Sequence, residues 1–217
     1  MNARDEVLAR IRSGLVDVSR AQSRTGEIHR SYRREGGAGP ELMLRLAQRL
    51  TEYGATVHRI REEEIGGAAA EACGRQEVQR LVVPEGVDDS WIPPGLELLR
   101  DPDLSAEALD QSDGVLTGCR LAIAETGTIV LDGGPGQGRR ALTLVPDYHL
   151  CVVRAEQVVE IVPDAIRSLG DAMRAAPRPL TFVSGPSATS DIEFRRVEGV
   201  HGPRTLEVLL VGREAAG

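Results

Sequence analysis

The sequence predicts an α/β domain: a mixed, mostly parallel sheet flanked by helices, with an N-terminal helical extension. Three observations carry this. From Pro40 onward, segments with apolar residues at helical spacing take turns with short apolar runs of strand length. Strand-like runs then crowd between Gly127 and Val153, too close together for crossover helices, so some of them must pair antiparallel. Finally, a charged helical stretch at the start is cut off from the rest by a segment rich in Gly, Ser and Arg.

Each element has its own reason. Val7, Leu8, Ile11, Leu15 and Val18 recur close to helical spacing, so residues 3–18 are expected as a helix. Residues 20–40 lose that pattern and hold Arg20, Arg24, Arg30, Arg33 and Arg34 around Tyr32. They read either as a solvated linker or as an arm for a partner or an anion. The expected division is therefore an extension over 1–39 and an α/β domain over 40–213. A helix over 41–53 puts Leu42, Leu46 and Leu50 on one face, with Gly54 as terminator. A strand over 55–60, an Ala-rich helix over 62–73 and a buried strand over 81–83 follow, the last cut by Pro84. Prolines at 84, 93, 94 and 102 make residues 90–103 a loop with room for one edge element. Ser105 caps a short helix to Gln111. Strands are expected over 114–116, 127–131, 142–145, 150–153, 180–183 and 205–211, with a longer helix over 158–173.

Composition narrows the chemistry. The chain has 217 residues, 41% hydrophobic and 27% charged, which suits a core-forming protein rather than a disordered one. Its net charge of −7 argues against nucleic acid as the main partner. All 26 cations are arginines, because the sequence contains no lysine; Schiff-base catalysis and a Walker-type phosphate loop are excluded. No apolar run approaches the roughly 18 residues that span a bilayer, and no leader pattern opens the chain, so a cytoplasmic location is expected. Cys73, Cys119 and Cys151 are odd in number and far apart, offering neither a disulfide framework nor a C-x-x-C pair. No intrinsic cofactor is expected.

Four stretches have the residue types for chemistry. In Ala124-Glu125-Thr126-Gly127-Thr128, Gly127 can take positive φ and let amides approach a ligand. Glu125 is a candidate base, nucleophile or anchor, while Thr126 and Thr128 either bind a ligand or satisfy the turn. The glycines at 133, 134, 136 and 138 fail the G-x-G-x-x-G spacing, and a strand rather than a helix is expected after them; a dinucleotide site is rejected. A mobile loop ending in Arg139 and Arg140 would instead clamp a carboxylate or phosphate, or stand as a solvated hairpin. Asp147, His149 and Cys151 share one strand face by their spacing of two, but nothing local fixes a metal or thiol–imidazole geometry, and no metal is assigned.

Strand, glycine turn and capping residues over 180–193 describe an anion cradle or an ordinary capped turn. Ser184, Gly185, Ser187 and Thr189 would bind the anion, and Asp191 and Glu193 would orient neighbouring groups. A hydrolase elbow is rejected because Thr189 replaces the second glycine of G-x-S-x-G. His201, between Gly199 and Gly202, suits proton work or a plain turn.

Together these units resemble one family. Residues 124–131, 138–140, Leu144 to Asp147 with His149, Ser184 to Ser187, Ser190 to Glu193 and Gly199 to Pro203 match, in order, the LUD-domain proteins. The match is to the stand-alone lactate-utilization protein C type (LutC/YkgG-like). Ser190 stands where that pattern has alanine, and the cysteine-rich cluster domain of longer relatives is absent from this sequence. The resemblance implies a NagB/RpiA/CoA-transferase-like fold, with ligands at the carboxyl ends of the strands. It also implies a part in oxidising L-lactate to pyruvate beside iron–sulfur proteins of the A and B type, which would hold the clusters.

Three functions follow. The first is an accessory or co-catalytic subunit of lactate oxidation, possessing no redox motif of its own. The second is an independent enzyme on a small acid or its CoA ester, with Glu125 and His201 catalytic. The third is a small-molecule sensor. A small carboxylate is the expected ligand.

Overall fold

The computed structural model describes residues 3–20, 31–175, 177–190, 196–198 and 201–212. The chain forms two compact units, residues 1–33 and 34–217, so residues 34–39 belong with the larger unit and not with the extension. In the smaller unit α1 spans Ala3–Arg20 and leaves Val7 and Ile11 exposed.

The larger unit is built on a six-stranded, all-parallel sheet. Its members are β1 (Thr56–Ile60), β2 (Arg80–Val83), β3 (Glu97–Arg100), β4 (Gly114–Thr117), β7 (Tyr148–Arg154) and β12 (Thr205–Val211). Their order is β1-β12-β7-β4-β2-β3. A second sheet, β8-β5-β6-β9, is made of β5 (Leu121–Ile123), β6 (Thr128–Leu131), β8 (Val158–Val159) and β9 (Thr181–Val183). Of the strands crowded between 127 and 153, where antiparallel pairing was expected, only β6 pairs that way, with β5 and β9 from outside that stretch, while β7 is parallel to both its neighbours. A two-stranded antiparallel ribbon joins β10 (Ala188–Ser190) to β11 (Arg196–Glu198), where a capped turn was expected.

Alternating side chains decide how these layers stack. On one face of the parallel sheet, Leu81, Val83, Leu116, Leu150, Val152 and Leu209 pack under Ile65, Ala69 and Ala72 of α3 (Ile65–Arg75). The opposite face, with Cys151, Val153, Val208 and Leu210, meets Ala122, Ala124, Ile129 and Leu131 of the second sheet. Leu42, Leu46 and Leu50 of α2 (Glu41–Glu52) close that layer from the side, at the expected spacing. The other face of the second sheet buries Leu121, Ile123 and Val130 against Ala165 and Leu169 of α5 (Val162–Ala175). The short α4 (Ala106–Asp110) is capped by Ser105, whose Oγ accepts from the Ala108 N–H at 3.2 Å.

Three expectations need correction. Residues 140–143 form a 3-10 turn, not the strand expected over 142–145: Leu142 drops into a satellite cluster with Val82, Leu109 and Val115. A short run with three apolar residues around Thr143 fits either geometry, and packing chose. The helix expected from Val158 starts at Val162, because Val158 and Val159 pair with β5. Strand β5 was not foreseen, being three residues long and followed closely by the Gly127 turn.

One buried charge stands out on the α3 side. Glu207 of β12 is 1% exposed and accepts from Arg75 (2.6 Å), from the Tyr148 hydroxyl (2.9 Å) and contacts His58 Nε2 (2.6 Å). Desolvation pushes its carboxyl upward, but the bonds from Arg75, Tyr148 and His58 outweigh it and hold the group below the usual glutamate range.

Candidate functional site

Two glycine bends meet against the end of α2. Gly127 has φ +61° in the β5–β6 turn, and a Cβ there would sit 2.6 Å from Arg49 Cβ. Gly185 has φ +94° after β9, and a Cβ there would sit 2.7 Å from Tyr53 Cβ. Glycine alone allows both the backbone conformation and the approach. A chain of hydroxyls ties the two bends together. Thr126 Oγ1 lies 2.8 Å from Thr128 Oγ1, which lies 2.8 Å from Ser184 Oγ.

Beside this junction opens a cavity of about 240 Å³. His149 of β7 and Leu206 of β12 form part of its lining, with Arg140 and Thr143 of the 3-10 turn, Phe182 of β9, and the bends at Ser184–Ser187 and His201–Pro203. Those bends are cross-linked: the His201 N–H donates to Ser187 Oγ (3.1 Å), and the Ser187 N–H donates to the Pro203 carbonyl (2.8 Å). His149 is 1% exposed and its Nε2 lies 2.7 Å from Thr117 Oγ1. His149 and Leu206 are at the amino ends of β7 and β12, whereas the resemblance implied ligands at the carboxyl ends.

Arg140 is the cation of this cavity. Its guanidinium donates to the Thr143 carbonyl (2.8 Å), Thr143 Oγ1 (3.3 Å) and the His201 carbonyl (3.3 Å), all neutral acceptors. Among the described residues no carboxylate pairs with it, and burial lowers its pKa from the ordinary arginine value. A second hollow of about 240 Å³ shares Arg140, Thr143 and Thr181, but its two other cations, Arg139 and Arg178, are matched, Arg178 by Asp132 at 3.3 Å. Further along, Arg139 is held by Asp101 (2.9 Å) and by the Leu104 carbonyl (2.5 Å). The two neighbouring arginines thus differ. Arg139 is paired with a carboxylate and, among the described residues, Arg140 is not.

The glycine loop before them, expected as mobile, is held by several hydrogen bonds. Asp132 accepts from the Gly134 N–H (3.0 Å) and from Gln137 Nε2 (2.8 Å), while Gly136 exchanges backbone bonds with Glu85 (2.7 Å) and Gly118 (2.8 Å).

Of the residues singled out in sequence, Arg140, His149, Ser184, Gly185, Ser187 and His201 line one cavity. Thr126, Gly127 and Thr128 build the junction behind it. Glu125 does not share the lining with His201: it is exposed on the β5–β6 turn, where its N–H donates to the Glu160 carbonyl at 2.9 Å. Asp147 faces Arg204 at 3.3 Å and is also outside the lining. Asp191 and Glu193, and the Thr189 side chain, lie outside the described residues. Thr143, Phe182, Leu206 and Thr117 were missed. Nothing in their neighbours marks them, since the fold alone brings them in.

Cys151 continues the His149 face, as the spacing of two required, but it is fully buried. A hydrogen bond from Cys119, then His149 and Thr117, pulls its thiol down against the cost of burial, while Cys119 is pushed up. Among the described residues no three His, Cys, Asp or Glu side chains gather as a metal site, and no helix is long and apolar enough to cross a membrane.

Residues 43–211 match the model of the LUD domain. The chain belongs to the LUD-domain family. Among similar LUD proteins is the lactate utilization protein C of Deinococcus radiodurans, 49% identical over 173 residues, covering 79% of this chain and 80% of that one. The uncharacterized protein YkgG of Escherichia coli is 28% identical over 178 residues, 79% of this chain and 75% of its own. The crystal structure of a DUF162 family protein from Deinococcus radiodurans superposes with a TM-score of 0.69 at 41% identity, covering 79% of this chain and 97% of that one. The mostly parallel α/β architecture is therefore common to this chain and a solved relative.

Proposed function

We propose that this chain serves lactate utilization by binding a small 2-hydroxy or 2-oxo monocarboxylate, lactate or pyruvate, in the cavity around Arg140. It would act in the cytoplasm as an accessory or co-catalytic subunit beside iron–sulfur proteins of the A and B type. Relatives named lactate utilization protein C supply the metabolic setting.

The observation that carries the ligand class is the Arg140 guanidinium, partly desolvated and without a carboxylate among the described residues. Its three neutral contacts leave two N–H groups for an incoming carboxylate, the fork geometry that arginine offers best. Ser187 Oγ already accepts from the His201 N–H, so its own O–H remains to donate to the ligand. The His201 imidazole, at the rim, would take the proton of a 2-hydroxyl or give one to a 2-oxo group. Lactate oxidation also removes the Cα proton and two electrons; the iron–sulfur partners would have to accept the electrons and supply the acceptor for that proton. Glu125 has no part in this reading, because it is exposed away from the lining.

Calorimetric titration of the full chain with lactate and with pyruvate tests it. Arg140→Gln should weaken binding by about 10- to 150-fold, the worth of a charge-assisted hydrogen-bond set of about 1.5–3 kcal/mol. Equal affinity in both proteins would remove Arg140 as the anchor. Lactate-dependent cluster reduction that is complete without this chain would remove the subunit role.

A further inference from the structure

At the other end of the parallel sheet lies a larger cavity that the reading above does not use. It encloses about 590 Å³ where β1, β12 and β7 end. From Leu206 to Leu210 along β12 is about 13 Å at 3.3 Å per residue, so the two cavities are separate.

Its walls are mainly apolar. Leu42 and Met43 come from the first turn of α2, Val158 from β8 and Leu210 from β12. Arg59 of β1 has Leu210 as its cross-strand partner and shares the Val57 face, which belongs to the buried layer between the sheets. Arg59 is half-buried, and among the described residues it has no hydrogen-bond or ion-pair partner. The other charge in the lining, Glu156, is exposed and lies in the field of Arg154. What remains is a roomy apolar hollow with one cation that has no partner among the described residues. A cavity of this size and lining matches a site for a drug-sized ligand oriented by a few polar groups, at the carboxyl ends of parallel strands where such sites recur. Lactate is too small and too polar to fill it.

We propose that this cavity is a second binding site, for a free amphipathic monocarboxylate whose apolar body packs on Leu42, Met43, Val158 and Leu210 and whose carboxylate sits on Arg59. The ligand class is a medium-chain acyl carboxylate. The site is independent of the Arg140 cavity, and each can be lost without the other.

Decanoate and decan-1-ol are the probes, with the full chain followed by calorimetry. Decanoate should bind saturably at one site, and Arg59→Gln should weaken it at least tenfold while leaving the urea midpoint unchanged, since Arg59 holds no partner among the described residues. Decanol binding should be indifferent to Arg59→Gln. Met43→Trp, which fills the hollow from a partly buried position, should block both probes. Arg140→Gln should leave decanoate affinity as in the parent chain. No saturable decanoate binding, equal binding in the Arg59 variant, or loss of decanoate binding on changing Arg140 would each overturn the proposal. So would Arg59-dependent co-sedimentation with phosphatidylglycerol vesicles in the absence of decanoate binding, which would make the surface a membrane contact. Lactate titrated into the same samples reads the Arg140 cavity separately.

Discussion

Replacing Glu207 by glutamine keeps the shape of the side chain and removes its charge. Three donors converge on that carboxylate, from Arg75, His58 and Tyr148, within 2.9 Å or less. Removing one partner of a buried ion pair typically costs about 3–5 kcal/mol, because the other charge stays behind without water. Arg75 is 47% exposed, so its guanidinium can recover solvent, and the expected loss is nearer about 2–4 kcal/mol. The Tyr148 hydroxyl, being buried, cannot recover in this way. Urea unfolding at pH 7 should show the parent chain more stable by that amount. The pH dependence has a definite sign. Glu207 has a folded pKa below its unfolded value, so its stabilisation is present above about pH 4.5 and fades as pH falls through the lower folded value. The gap between parent and Glu207→Gln should therefore narrow on acidification below that point. Identical midpoints at pH 7, or a gap that is the same on both sides of pH 4.5, would refute the reasoning.

Two further outcomes are expected. Gly127→Ala should destabilise the fold by about 1–3 kcal/mol, through positive φ and the clash with Arg49, and thermal unfolding reads it directly. All three cysteines are buried, so an aromatic disulfide reagent should titrate none in the native chain and three in denaturant. Rapid modification of Cys151 in native buffer would contradict its placement behind His149.

What the sequence made legible follows from how local each cause is. Leu42, Leu46 and Leu50 announce α2 because a helix face is written in spacing alone, and Ser105 announces its cap because the bond it makes is three residues away. The 142–145 run misleads because Leu-Thr-Leu-Val is too short to carry a period that distinguishes strand from turn. Its contact with Leu109 and Val115 is a tertiary matter. For the cavity, residues next to glycines were found because such turns advertise themselves. Thr117 escaped because its partner, His149, is 32 residues away, and Thr143 because the stretch that holds it was expected as strand and not as the 3-10 turn that brings it to Arg140. Arg139 and Arg140 look identical in sequence, and only the position of Asp101 tells them apart. Glu125 looked equally suited to the cavity until the β5–β6 turn carried it outside the lining.

Strand β12 lies between β1 and β7, so the first strand of the sheet joins the rest only through a strand that begins about 145 residues further along. A growing chain must hold β1 in waiting, with Val57 and Ile60 unsheltered, while some 140 intervening residues are synthesised. Closure of the sheet is then a late, long-range event that inserts a strand instead of appending one. Glu207 arrives in the same step, so the carboxylate that Arg75 and Tyr148 await is delivered by the strand that completes the sheet. Assembly of this layer and neutralisation of its buried charge are one act.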